Sequence, residues 1–485
     1  MRALGITVLA FLCCAAPAAA TPVLELHGKR VVKRQLRFAG PTELAQPPAQ
    51  ASPPPLGKRQ APPPKGRPTR DALDALLAQG QIDQPSYDAR TATVKRALRA
   101  YRKLTGTRKT ELAAVIANAD SIAASGQLTA QRLEPVCLTL ARNTEWWTNG
   151  TLLTSGKRVS FAGTQAIWQY YPGQGIELQM LANFARVNAL WSSRKRDALR
   201  GLIDELIPLG TDRGGGAIAW EYFFRFGGGA PPWASSISQG TAVQSLGRSA
   251  NLLGDPALND VAARSLGLFE QPPPAGVRSE TPDGAFYLIY TFAPGLLVLN
   301  AHLQAVIGLY DFTQLTADPR AQALYESGVA EARVAVPRYD TGKWSLYSLE
   351  RESDLSYHEL VTTFLGNLCK RNQEPVFCDT AARFESYLSV PPAVRQSTRR
   401  VRAGKPAQIG FSLDKISRVG MTVTDSRGRA VLSTSAVVGR GARYFTWRTP
   451  RKAGTYTLRL SAIDLAGNRA EPVEGPLRVL KAVRR

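Results

Sequence analysis

Residues 298–335 read VLNAHLQAVIGLYDFTQLTADPRAQALYESGVAEARVA. Apolar residues recur at three- and four-residue spacing on both sides of Leu315-Thr316-Ala317-Asp318-Pro319. That spacing predicts two helices joined by a tight turn, with proline starting the second. The same order returns on either side. Gly240 to Phe269 reads helix, Leu252-Leu253-Gly254-Asp255-Pro256, helix, and Tyr357 to Leu388 reads helix, Gln373-Glu374-Pro375, helix. A glycine precedes each turn: Gly247, Gly308 and Gly366, spaced 61 and 58 residues apart. Hairpins of this length cannot bury their apolar faces alone and must stack on neighbours. The expected fold is mainly α, an α/α toroid of stacked helical hairpins around a central cleft.

Working outward, residues 71–145 read as four helices. The first is ended by Gly80, the second runs from Ser86 to Leu104, the third from Gly106 to Gly126, and the fourth follows Thr129 to Trp146-Trp147. Their charge runs read as solvated faces. Residues 146–390 form the expected toroid. From Val401 the pattern changes to period two, as in Ile409-Gly410-Phe411-Ser412-Leu413 and Tyr456-Thr457-Leu458-Arg459-Leu460. Residues 401–485 therefore predict a β-sandwich, which resembles the immunoglobulin-like modules appended to secreted bacterial proteins. The switch of pattern predicts that it folds independently of residues 71–390. The longest uncharged run, Gly284 to Tyr310, is broken by Pro294-Gly295 and polarised by Asn300, His302 and Gln304. It reads as a loop or strand followed by a buried inner helix, and no membrane span is expected in the mature chain.

The N-terminus has a positive start, an apolar run from Leu4 to Ala16, and Ala18-Ala19-Ala20 before Thr21-Pro22. This is the pattern of a Sec-type signal peptide over residues 1–20, implying a secreted, extracellular protein. Residues 21–70, with Pro53-Pro54-Pro55 and Pro62-Pro63-Pro64, read as a basic, proline-rich linker that need not fold. Within it, Val31 to Phe38 is a candidate edge strand. Of the five cysteines, Cys13 and Cys14 fall in the leader. Among Cys137, Cys369 and Cys378, the last two are the preferred disulfide pair outside the cytosol.

The net charge is +23, and it sits at the ends. Residues 21–70 hold ten Lys/Arg against two Asp/Glu, and residues 389–485 hold twenty against five, around a nearly balanced centre. Basic ends favour polyanions. The expected partner is an acidic polysaccharide or cell-wall glycan rather than nucleic acid.

Between two of the helical hairpins lies a polar, aromatic loop, Tyr339 to His358. It carries Tyr339, Tyr347, Tyr357, Trp344, Arg351 and one of three histidines. Loops held by a rigid scaffold concentrate binding and chemistry. Tyr170 and Tyr171, before a Pro-Gly turn, are candidates for stacking on sugar rings. No metal site or cofactor is expected. Gly227-Gly228-Gly229 lacks the Lys-Ser/Thr of a phosphate loop. There is no histidine–cysteine cluster for zinc and no G-x-S-x-G elbow.

Seven segments in register carry a resemblance. They are Phe223-Phe224-Arg225-Phe226-Gly227, Pro231-Pro232-Trp233, Ser238-Gln239-Gly240, Val298-Leu299-Asn300, Gly308-Leu309-Tyr310-Asp311, Tyr339-Asp340-Thr341-Gly342 and Tyr357-His358. In this order, over residues 160–390, they resemble the C-terminal catalytic domain of D-glucuronyl C5-epimerases. The resemblance implies removal and return of the C5 proton of uronic acid units within a polysaccharide. Such chemistry needs two acid/base groups on opposite sides of the ring and a means of holding the carboxylate. By matching positions, the resemblance assigns proton handling to Tyr357, Tyr290 and Tyr347, with nearby cations expected to lower the phenolic pKa. Trp233, Asn300, His302, Arg351 and His358, with Tyr170 and Tyr171, are the expected substrate contacts.

One departure stands out. Where the family is expected to place glutamate before the tyrosine matching Tyr290, this chain has Leu288-Ile289. An apolar side chain moves no proton, so His302, Glu350 or Glu221 becomes a candidate. Two other readings share the fold: a polysaccharide lyase, and a non-catalytic glycan- or cell-wall-binding protein. A glycosidase is disfavoured for want of a carboxylate pair.

Overall fold

Proline opens several of the helices. α1 (Pro68–Ala78), α2 (Gln84–Lys103) and α13 (Pro375–Tyr387) each carry proline in the first turn, where its missing N–H costs no hydrogen bond. The computed structural model describes residues 20–44 and 67–481. They fall into two units, each described on its own. The first holds the residues up to Glu280 with Tyr287–Leu296 and Gln304–Glu326; the second holds Thr281–Phe286, Leu297–Leu303 and the residues from Ser327 onward.

In the first unit, α1 and α2 are followed by α3 (Gly106–Ala124) and α4 (Leu133–Asn149). Their bounds lie within a few residues of the periodicity. Asp83 accepts a hydrogen bond from the Ser86 N–H at 2.9 Å and so caps α2. Leu73, Val115, Ile122, Val136 and Leu140 form a shared core with Phe223.

Next comes a sheet that helical periodicity hides. β1 (Ala20–His27), β2 (Arg30–Arg37), β3 (Arg158–Phe161), β4 (Trp168–Tyr171) and β5 (Gly175–Leu178) lie in the order β2-β1-β3-β4-β5. This corrects the linker expectation for its first part. Residues 20–37 form a hairpin, and Val23, Leu36 and Phe38 pack against Ile167, Ala182 and Ala185. The edge strand expected at Val31–Phe38 is β2. The proline triplets and residues 1–19 lie outside the described residues. The Pro-Gly turn after Tyr170-Tyr171 closes the β4–β5 hairpin.

Four helical hairpins follow. They are α5 (Met180–Ser192) with α6 (Arg196–Leu206), α7 (Ser236–Leu253) with α8 (Ala257–Ser265), α10 (Leu299–Thr316) with α11 (Pro319–Arg338), and α12 (Leu355–Asn372) with α13. A short helix, α9 (Gly267–Glu270), follows α8. Gly308 and Gly240 serve packing rather than turns. A Cβ on Gly308 would stand 2.2 Å from the Gly240 carbonyl oxygen, and one on Gly240 would stand 2.7 Å from the Ala305 Cα. Here the α7 and α10 backbones meet. Among the described residues no helix is long and apolar enough to cross a membrane.

In the second unit a Cys369–Cys378 disulfide ties α12 to α13, as expected, and Cys137 of the first unit is free and buried. Burial pushes the Cys137 thiol up to about 12. Residues 394–480 form a sandwich of a three-stranded and a five-stranded sheet. Ile409, Phe411, Val419, Met421, Leu458 and Leu477 fill its core.

The sandwich is seated on the helical part of its unit by a buried cation. Lys415, fully buried, pairs with Asp464 at 2.6 Å and donates to the carbonyls of Tyr387 at 2.9 Å and Val390 at 2.5 Å. Its ammonium lies 5.3 Å from the Trp344 ring centroid. Glu352 accepts the Ile416 and Arg440 amides at 3.0 and 2.8 Å. Residues beyond 400 thus share one unit with 327–400, and the change of sequence pattern is not a contact boundary.

Candidate active site

In the second unit the loop preceding α12 is built around Tyr347. Tyr347 lies on the strand Leu346–Ser348, which pairs with Arg351–Glu352. Asp354 caps α12 by accepting the Tyr357 amide at 3.0 Å, which sets Tyr357 in the first helical turn. The Tyr357 ring meets the Tyr347 ring edge-on, with centroids 5.0 Å apart. The Arg351 guanidinium lies 5.5 Å from the centroid of Tyr347. Asn300 donates to the Tyr357 carbonyl at 3.3 Å. The Tyr347 side chain is 5% exposed, and its hydroxyl has no hydrogen-bond partner. A buried phenol ordinarily finds one.

The cation does not lower this phenol. Burial raises the Tyr347 pKa above its ordinary value, against a smaller opposing pull from Arg351. Tyr347 is therefore a neutral phenol at neutral pH.

The two histidines do other work. The His358 Nε2–H donates to the Phe384 carbonyl at 2.9 Å, and Nδ1 is hydrogen-bonded with the Ser345 hydroxyl at 2.8 Å. Its ring stacks on Trp344 at 3.7 Å, and burial lowers its pKa to about 4. His302 is fully buried, stacks on Phe286 at 4.3 Å, and is held by burial at about 3. Both are neutral core side chains.

In the first unit, the predicted residues Trp233, Tyr290 and Tyr171 share an aromatic cluster. Trp233 stacks on Tyr222 at 4.4 Å, and its indole N–H donates to the Phe224 carbonyl at 2.7 Å. Tyr290 meets Trp233 edge-on at 5.3 Å and stacks on Phe292 at 5.1 Å. Tyr171 packs on Phe224 at 4.6 Å, and its hydroxyl accepts from Gln179 at 2.7 Å. Strand alternation turns Tyr170 to the other face, where it donates to Glu111 at 2.9 Å. The two neighbouring tyrosines thus do not form one stacking platform.

The carboxylate candidates are separated by their partners. Glu221 is fully buried but held by Arg132 at 2.6 Å, by Arg213, and by the Thr211 hydroxyl at 2.7 Å. It anchors structure, with no lone pair left over for chemistry. Glu350 is exposed. Ile289 is buried and apolar.

Glu177 is the group the sequence reading missed. Registered pairing places Arg158, Gln169 and Glu177 side by side across β3, β4 and β5, with Tyr171 on the same face two residues beyond Gln169. Glu177 is 2% exposed, and its Oε1 has no partner; neither do Gln169 Oε1, Ser160 Oγ and Arg158 Nε. Burial raises the pKa of the Glu177 carboxyl well above the usual carboxylate range. The available signal was one acid within the alternating run Gly175-Ile176-Glu177-Leu178, legible only once that run is taken as a strand.

Residues 214–386 match the sequence profile of the D-glucuronyl C5-epimerase C-terminus. Over this region the chain is similar to the D-glucuronyl C5-epimerase family. The Tyr347, Tyr357 and Tyr290 positions all lie within the matched residues; Tyr170, Tyr171 and Glu177 precede them. A D-glucuronyl C5-epimerase of Caenorhabditis elegans is 30% identical over 178 residues, covering 32% of this chain and 29% of that protein. The chain thus spans less than a third of that relative's length. Among solved structures, cellobiose 2-epimerases of Spirochaeta thermophila and Bacillus thermoamylovorans overlap at TM-scores of 0.35 and 0.36, with 15% and 10% identity. They cover 53% and 52% of this chain, and 68% and 69% of their own.

Proposed function

We propose that this protein is a secreted epimerase that removes and returns the C5 proton of uronic acid units in an acidic polysaccharide. The proposed fold of its helical hairpins is an α/α toroid. The observation that carries the reading is the Tyr347 hydroxyl. It is buried and unpartnered, it lies beside Tyr357 and Arg351, and it sits inside the C5-epimerase region. A substrate oxygen at that hydroxyl would satisfy it. Arg351, exposed at its rim, suits a uronate carboxylate. In this reading Tyr347 donates a proton, and Tyr357 exchanges one with C5. Whether Tyr290 or Glu177 also carries a proton is read separately, from Tyr290→Phe and Glu177→Gln. Secretion rests on residues 1–20; cleavage after Ala20 would leave Thr21–His27 of β1 in place.

The test is incubation of candidate uronans in deuterated water. C5 deuterium incorporation without new unsaturated-product absorbance supports epimerisation, whereas that absorbance indicates a lyase. A second reading, a glycan-binding protein without catalysis, is favoured by Ile289 alone and gives polymer binding with no C5 exchange.

A further inference from the structure

A groove of about 580 Å³ opens in the first unit, between the last turns of α2 and of α4. Arg96, Arg99 and Lys103 stand on one face of α2 at spacings of three and four residues, and all three are exposed. None has a carboxylate partner among the described residues. The one acid on the lining, Glu145, is paired with Arg142 at 2.9 Å. Like charges at these spacings repel each other along a helix, so the face is strained electrostatically until an anion neutralises it. The floor is apolar, from Ala100, Leu104 and Ala141, and Thr148 and Asn149 at the end of α4 complete the lining.

We propose that this groove is a binding site for a carboxylated polysaccharide, separate from the site of proton transfer. An apolar floor suits sugar ring faces, the threonine and asparagine suit hydroxyls, and the cation row suits carboxylates repeated along a chain. From Arg96 to Lys103 the helix rises about 10 Å, long enough to meet more than one sugar. Nucleic acid fits less well, because the lining has no aromatic side chain on which a base could stack. The site gives residues 71–145 a role in holding the polymer, and it adds a basic element to a centre whose overall charge is nearly balanced.

The experiment is hydrogen–deuterium exchange of the full chain with polygalacturonate, read beside binding affinity, so it does not depend on C5 chemistry. Protection of peptides covering residues 93–104 and 141–149 is expected. The R96E/R99E/K103E variant should lose that protection and bind roughly tenfold more weakly, and R96Q/R99Q/K103Q should fall between. As a control, R427E/R429E in an exposed sandwich turn should keep the protection. Unchanged protection in the α2 charge-reversal variant, with its melting temperature preserved, would overturn the proposal. So would duplex DNA protecting the same peptides as strongly at equal charge concentration.

Discussion

A buried hydroxyl without a partner is a cost, and Tyr347 sets that cost against a function. If the phenol is retained only for chemistry, Tyr347→Phe should remove an unsatisfied polar atom and leave the melting temperature equal or higher, by the equivalent of about 1 kcal/mol. The same variant should lower C5 exchange by ~10²–10⁴-fold. A packing tyrosine would show the reverse, with lost stability and unchanged exchange. His358 makes a second prediction at this scale. Its native pKa is near 4, and an unfolded histidine titrates near 6.5. Between those values the unfolded chain binds more protons, so stability should fall as pH drops from about 6.5 to 4. Urea titrations across that window should show the slope, shallower in His358→Phe. The tyrosines of the loop were singled out in the sequence by family position, and the structure brings the Tyr347 and Tyr357 rings together. The core role of His358 was not legible, because Ser345, Trp344 and Phe384 reach it only in three dimensions. Glu177 was missed for the same reason, since its neighbours come from other strands.

Helices announce themselves by period, and here α1 to α4 and the later hairpins were read to within a few residues. Strands of four residues do not, and β3 to β5 passed for parts of a helical domain. Gly308 was read as a glycine preceding a turn, yet Gly308 and Gly240 are the point where two helices touch. Gly308→Ala should therefore force α7 and α10 apart and cost at least about 1–3 kcal/mol, seen as a lower denaturant midpoint. Gly366, with nothing within 4 Å of its would-be Cβ, should accept alanine and gain stability through helix propensity. The Cys369–Cys378 pair closes a short loop between α12 and α13. Replacing both by serine should cost about 2–3 kcal/mol by the loop-entropy estimate, measured under non-reducing conditions.

At the scale of the whole molecule, the change from helical to alternating pattern suggested separable pieces, but Lys415 contradicts a simple cut. Its charge is buried against Asp464, Trp344 and two carbonyls from the helical side of the same unit. Lys415→Ala should leave Asp464 buried without a counter-charge and cost about 3–5 kcal/mol, with the sandwich and α12–α13 losing hydrogen-exchange protection together. Independent loss of one without the other would restore the two-piece view. The central claim is C5 proton exchange, carried by the phenols of the loop before α12. It is tested most directly by nuclear magnetic resonance of uronan polymers incubated with the protein in deuterated water. Deuterium at C5 is expected with the wild-type chain, with its loss by ~10²–10⁴-fold in Tyr357→Phe and no change in Tyr310→Phe. Full exchange retained by Tyr357→Phe would contradict it.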